Sequence, residues 1–102
     1  MGTFYKVAKK QDLVEGEGVE VLIQGKPIAI FKLEENFYAI DNLCPHRGGP
    51  LAEGDVKGAT VSCPWHAWEF DVKTGCNAEN PEIKVNKYNV KVEGDDVMIE
   101  MS

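Results

Sequence analysis

Short apolar runs alternate with turn-forming residues along the whole chain, and within the runs apolar side chains tend to fall at every second position. A period of two places side chains alternately on the two faces of an extended strand, so the pattern predicts an all-β fold. Positions 4–7 read as a first strand. Val19, Val21 and Ile23 alternate with polar neighbours, and Gly25, Lys26 and Pro27 mark the turn that follows. Positions 27–33 form a second strand, which Glu34, Glu35 and Asn36 connect as a hairpin to positions 37–40. Val61 and its neighbours lead into a cysteine. Trp68 and Phe70 alternate in the strand after it, which Lys73, Thr74 and Gly75 close. Positions 83–92 and 97–101 flank Glu93, Gly94, Asp95 and Asp96 as a final hairpin. Positions 12–14 open a helical turn at most, because Gly16 and Gly18 stop it.

The length of 102 residues fits a single domain over 1–102, near the size at which a small fold gains from a metal or a disulfide. No linker, repeat or low-complexity tract divides it. The net charge of −6 argues against nucleic acid, whose phosphates require a basic surface, and is compatible with a basic protein partner. Three cysteines cannot form a closed set of disulfides. No stretch approaches the ~20 apolar residues of a membrane span, and positions 1–13 carry no signal-peptide core. The expectation is a soluble protein of a reducing compartment, the cytoplasm, with no membrane and no nucleic-acid partner.

Two stretches break the strand pattern. Positions 42–50 (NLCPHRGGP) and 62–66 (SCPWH) are rich in Pro, Gly, Cys and His, and each follows an apolar strand. Loops on a rigid sheet are where function commonly sits. Both histidines of the chain and two of its three cysteines lie here, as Cys44-Pro45-His46 and Cys63-Pro64-Trp65-His66, with sixteen residues between His46 and Cys63. Each loop thus offers one thiolate and one imidazole. Thiolate suits iron–sulfur and zinc sites, and imidazole suits zinc, iron and copper. Structural zinc sites with two cysteines and two histidines usually pair like with like. Mixed pairs instead let one iron of a binuclear cluster take both sulfurs and the other both nitrogens. A structural zinc module remains the rival reading. A hydrolase does not, because with both histidines committed as ligands none is left as a general base.

Cys44-x-His46 followed by Cys63-x-x-His66 resembles the Rieske family, including the prolines after each cysteine, and the strands around the loops fit its antiparallel β-sandwich. The resemblance implies a [2Fe–2S] cluster with Cys44 and Cys63 on one iron and His46 and His66 on the other. Two thiolates cancel the two positive charges of the oxidised core, whereas four would leave a dianion, which is why histidine ligation raises the potential. Pro45 and Pro64 keep the preceding cysteines extended. Gly48 and Gly49 allow turns and close backbone approach, Trp65 screens the site from water or simply packs, and Pro81 sits in a stretch, 78–82, that resembles the proline-bearing loop covering the cluster in this family or is a strand-edge proline. Cys76 reads as a small half-buried hydrophobe.

Absent residues narrow the class. Respiratory Rieske proteins join the two loops by a disulfide, at positions that are Gly49 and Trp65 here. They also place Ser and Tyr hydroxyls near the cluster, at positions that are Trp68 and Phe70 here. The resemblance therefore points to the low-potential ferredoxins of multicomponent aromatic-ring dioxygenases. Those are electron carriers rather than enzymes, which take electrons from an NAD(P)H-dependent flavin reductase and pass them to a terminal oxygenase. The edge formed by His46–Arg47 and Trp65–His66 is the expected docking edge, with Arg47 on its exposed rim, and any fall of potential with pH is expected to begin at higher pH than in respiratory proteins. The small subunit of an NAD(P)H-dependent nitrite reductase, which partners a large subunit, fits the same pattern.

Overall fold

A computed structural model of the chain describes residues 2–43, 49–64 and 68–101. The described residues form ten strands, β1 (Thr3–Lys9), β2 (Gly18–Ile23), β3 (Lys26–Leu33), β4 (Asn36–Asp41), β5 (Asp55–Lys57), β6 (Thr60–Ser62), β7 (Glu69–Asp71), β8 (Lys87–Tyr88), β9 (Val90–Glu93) and β10 (Asp96–Met101). They form three antiparallel sheets, ordered β1-β10-β9, β2-β3-β4-β8 and β5-β6-β7. The described residues contain no α-helix, only 3₁₀ turns at Lys10–Asp12 and Leu51–Glu53. Among the described residues no helix is long and apolar enough to cross a membrane.

The β3 sequence, PIAIFKL, is nearly continuous in apolar residues because both of its faces are buried. Ala29, Phe31 and Leu33 face one core cluster with Ile40, Leu51, Val61, Cys63, Phe70, Val72 and Val85. Ile28 and Ile30 face the other, with Leu13, Ile23, Ala39, Val97, Ile99 and Met101. The β2-β3-β4-β8 sheet is thus packed on one side by the β1-β10-β9 sheet and on the other by the small β5-β6-β7 sheet, which carries the second cysteine loop.

Several boundaries differ from the sequence reading. The β2–β3 turn is Gln24-Gly25, with φ of 54° and 79°, so Lys26 and Pro27 already belong to β3 and Pro27 pairs with Leu22. The helical turn lies at Lys10–Asp12 rather than at 12–14. β5 has a single apolar residue, Val56, and gives no alternation to read. Positions 83–92 are not one strand: Tyr88 pairs with Ala39 in the central sheet, whereas Val90 pairs with Ile99 in the other, and the chain changes sheets at Asn89.

The β3–β4 hairpin closes through Glu34 and Glu35, both left-handed, with φ of 52° and 66°, and Asn36 opens β4. Such two-residue turns favour Asn-Gly, because other side chains meet their own backbone at positive φ. The Glu15 carboxylate offsets part of that cost by accepting the Glu34 N–H at 2.7 Å and the Glu35 N–H at 3.4 Å. The double substitution Glu34→Asn/Glu35→Gly is expected to raise the unfolding free energy by about 1 kcal/mol, read from urea melts. Because this turn lies at the opposite end of β4 from Asp41, the visible spectrum should not change.

Candidate metal centre

The first cysteine loop leaves the sheet at the end of β4 and returns at the 3₁₀ turn Leu51–Glu53. Its two ends are tied together. Leu43 bridges Pro50, and the Leu51 N–H donates to the Asn42 carbonyl at 2.6 Å. Cys44, Pro45, His46, Arg47 and Gly48 lie outside the described residues; Gly49, on the returning side, is buried.

The second loop spans β6 and β7 and is closed where the Cys63 N–H donates to the Trp68 carbonyl at 2.8 Å. Trp65, His66 and Ala67 lie outside the described residues. Of the four expected ligands the described residues therefore include Cys63 alone. It is a free thiol, 4% exposed, within the core cluster that also holds Leu51 and Phe70.

The stems of the two loops adjoin. β5 follows the Leu51–Glu53 turn directly, and Asp55 pairs with Ser62, the residue before Cys63. A Cβ placed on Gly54 would collide with the Ser62 carbonyl oxygen, so only glycine permits this approach. Leu51, from the first stem, and Cys63, from the second, share one cluster. A buried thiol at the junction of two loops that together carry two cysteines and two histidines fits a small iron–sulfur group bound from both sides.

Hydrogen bonding around the first stem is dense, and nothing local in the chain signals it. Asn42 is fully buried. Its side-chain oxygen accepts the Ala52 N–H at 2.7 Å, its side-chain amide donates to Glu20 at 2.5 Å, and its backbone N–H donates to the Pro27 carbonyl at 3.0 Å. The preceding residue, Asp41, points to the other face. Its carboxylate accepts the Tyr88 hydroxyl at 2.5 Å and the Asn86 N–H at 3.0 Å, and its own N–H donates to the Asn86 carbonyl at 3.0 Å. Asp and Asn at a strand end signal only a turn; partners 22 and 47 residues away leave no local trace.

Burial pushes the Tyr88 phenol up to about 12, with the hydrogen bond to Asp41 and the Asp41 charge adding to it. A phenol whose pKa is higher folded than unfolded stabilises the fold below the ordinary value near 10, and that contribution is lost as pH rises towards 12. An ultraviolet titration should show Tyr88 ionising near pH 12, and Tyr88→Phe should remove that step.

On the far side of the second loop, the Asn77 side chain organises residues 78–82. It accepts the Glu79 N–H at 2.8 Å and the Asn80 N–H at 3.0 Å, while the Ala78 N–H donates to the Glu69 carbonyl at 2.8 Å. Trp68, Asn77, Asn80 and Ile83 line one groove, so the segment bearing Pro81 lies beside the residue that ends the second loop; Pro81 itself is exposed. Phe70 is fully buried and its ring centroid lies 6.4 Å from that of Trp68. Cys76 is half-buried, at the Cys76–Lys84 bridge outside the loops.

Three layers of antiparallel strands presenting two cysteine–histidine loops define a small iron–sulfur domain. The profile of the Rieske [2Fe–2S] domain family matches residues 3–98, and the chain belongs to that family. The group the family carries is a [2Fe–2S] cluster, which removes the zinc module as a reading. The chain is 38% identical over 94 residues to the ferredoxin component of the naphthalene 1,2-dioxygenase system of Pseudomonas aeruginosa, covering 89% of this chain and 88% of that one. Among solved structures it resembles the ferredoxin of carbazole 1,9a-dioxygenase in a complex of reduced oxygenase and oxidised ferredoxin. That match has a TM-score of 0.88, 28% identity, and covers 98% of this chain and 94% of the other. It also resembles a protein described as the small subunit of an NADPH nitrite reductase, with a TM-score of 0.84, 25% identity, and 95% and 97% covered. The relatives named as ferredoxin components are electron carriers within dioxygenase systems rather than catalysts.

Proposed function

We propose that this chain is the ferredoxin component of a multicomponent oxygenase system, a single Rieske unit over 1–102 that works in the cytoplasm. It takes electrons from an NAD(P)H-dependent flavin reductase and delivers them to a terminal oxygenase. Likeness along nearly its whole length to ferredoxin components of dioxygenase systems carries this reading. Cys44, His46, Cys63 and His66 are the proposed ligands, two from each loop. The bound cluster supplies storage and release of a single electron. The chain supplies the donor set, buries the Cys63 thiol against the core and holds the loop stems side by side. Arg47 belongs to the proposed docking rim, and residues 78–82 to the proposed cover.

The nitrite reductase likeness favours a second reading, in which the partner is the large subunit of such an enzyme. Stopped-flow mixing separates the two. Reduced protein mixed with an oxidised aromatic-ring oxygenase is expected to reoxidise far faster than with the nitrite reductase large subunit, and the reverse order would transfer the assignment. Arg47→Ala is expected to slow transfer to the oxygenase while leaving the visible spectrum unchanged. An unaffected rate would move the docking face elsewhere.

A further inference from the structure

We propose that Asp41 and Asn42 are positioning residues for the first ligand loop, a double clasp that fixes the stem from which Cys44 and His46 depart. The proposal rests on the ligand set given above.

The geometry is specific. As adjacent residues at the end of a strand, Asp41 and Asn42 point to opposite faces. Asn42 joins the two ends of the loop: its carbonyl accepts the Leu51 N–H at 2.6 Å and its side-chain oxygen accepts the Ala52 N–H at 2.7 Å. Its amide reaches sideways to Glu20 on β2, and its backbone N–H to Pro27 on β3. Asp41 ties the same point to the opposite flank through Asn86 and Tyr88. The stem is therefore held by β2, β3, the Leu51–Glu53 turn and the segment 86–88 at once. Three of the four side-chain bonds run to partners on elements that are not neighbours in sequence, so turn closure does not account for them.

This arrangement differs from plain scaffolding in what it controls. A buried amide that grips both loop ends limits how far the loop can shift towards or away from Cys63, whose position is set independently by β6 and β7. Ligand geometry at the first loop then depends on Asn42, and spectra of the bound cluster report it. A residue that served only fold stability would lower the melting temperature and leave those spectra alone.

Polarity exchange supplies the test. Asn42→Asp keeps the acceptor for Ala52 but loses the donor to Glu20, and puts a carboxylate in a fully buried place opposite another carboxylate. Glu20→Gln in the same chain restores the pair, because the side-chain amide it places on β2 donates to the new carboxylate. In the holoprotein, Asn42→Asp is expected to shift and broaden the EPR signal of the reduced state. It should also hasten loss of colour to a chelator by roughly ten- to a hundredfold, the effect of one lost hydrogen bond to a charged group. Asn42→Asp/Glu20→Gln should return both readings towards wild type. Tyr88→Phe, which removes the hydroxyl's bonds to Asp41 and to the Asn86 side chain and leaves Asn42 untouched, should hasten loss by a smaller factor, and it carries the test if Asn42→Asp does not fold. Wild-type EPR and chelation rates in Asn42→Asp despite a lower melting temperature would overturn the proposal, as would failure of Glu20→Gln to restore them. In the second arm, a Tyr88→Phe protein identical to wild type in both would overturn it. The ligand set itself is read on wild-type protein alone: absence of histidine nitrogen coupling in its EPR would remove that premise and the proposal with it.

Discussion

Cys63→Ser is expected to give a colourless chain that retains no [2Fe–2S] cluster, while Cys76→Ser keeps full colour and iron content. The contrast follows from position. Cys63 is 4% exposed, at the junction of the two loop stems, and its backbone is fixed by the bond from its N–H to Trp68. A serine hydroxyl there is a far poorer ligand than a thiolate: it is harder to deprotonate, its oxygen is harder than sulfur, and the surrounding Leu51, Val61 and Phe70 give it no polar partner in exchange. Cys76 sits outside the loops and is half-buried, and a change from sulfur to oxygen there removes only a small apolar contact. Because ligand binding favours the folded state, the Cys63→Ser protein should also melt well below wild type, by an amount that disappears when both are compared without iron. Iron and sulfide counted per chain, with visible absorption, check the first part, and paired melting curves the second. Retention of a full cluster in Cys63→Ser would exclude Cys63 as a ligand.

How much of this can be read from the sequence depends on how local the cause is. β3, β4 and β10 are legible within a residue at each end, because their alternating or continuous apolar runs record burial directly. The final turn at Gly94-Asp95 is legible because glycine marks positive φ, here 61°. β5 is not, since DVK pairs with β6 through backbone groups that any residue supplies. The break at Asn89 is hidden because alternation continues across it while the pairing partner changes.

The same division runs through the site. The proposed donor set stands out in the sequence because Cys and His are rare and chemically committed. The clasp cannot, because Asn42 and Asp41 find their partners on β2 and in the segment 86–88, and a strand-end Asn reads first as a turn former. Gly54 is equally silent: its negative φ gives no turn signal, and only the nearness of Ser62 excludes a side chain. The sequence thus points to the groups proposed to bind, and the non-local contacts hold the stems of the loops that carry them.

The wild-type protein should titrate at the low end of the Rieske range, on the order of −150 to 0 mV, and Phe70→Tyr should raise that value. Hydrogen bonds donated to cluster sulfurs favour the reduced state, which carries more negative charge. Positions 68 and 70 are those at which the respiratory members of the family place Ser and Tyr hydroxyls, whereas here Trp68 offers an indole N–H instead and Phe70 has no donor. One hydrogen bond to a charged group contributes about 1.5–3 kcal/mol. For a one-electron couple at about 59 mV per tenfold change, that corresponds to roughly 65–130 mV for Phe70→Tyr, and to twice as much for both hydroxyls together. Phe70 is fully buried in the cluster of side chains that contains Cys63, and it pairs with Val61 two residues before that cysteine. An added hydroxyl therefore has no water to turn to and must find an acceptor or destabilise the core. Those alternatives separate cleanly in one experiment. A rise in potential with stability retained means that the new O–H reaches sulfur. An unchanged potential with a lower melting temperature means that the ring edge faces away, and a wild-type value above about +150 mV would show that donors other than side-chain hydroxyls set the potential.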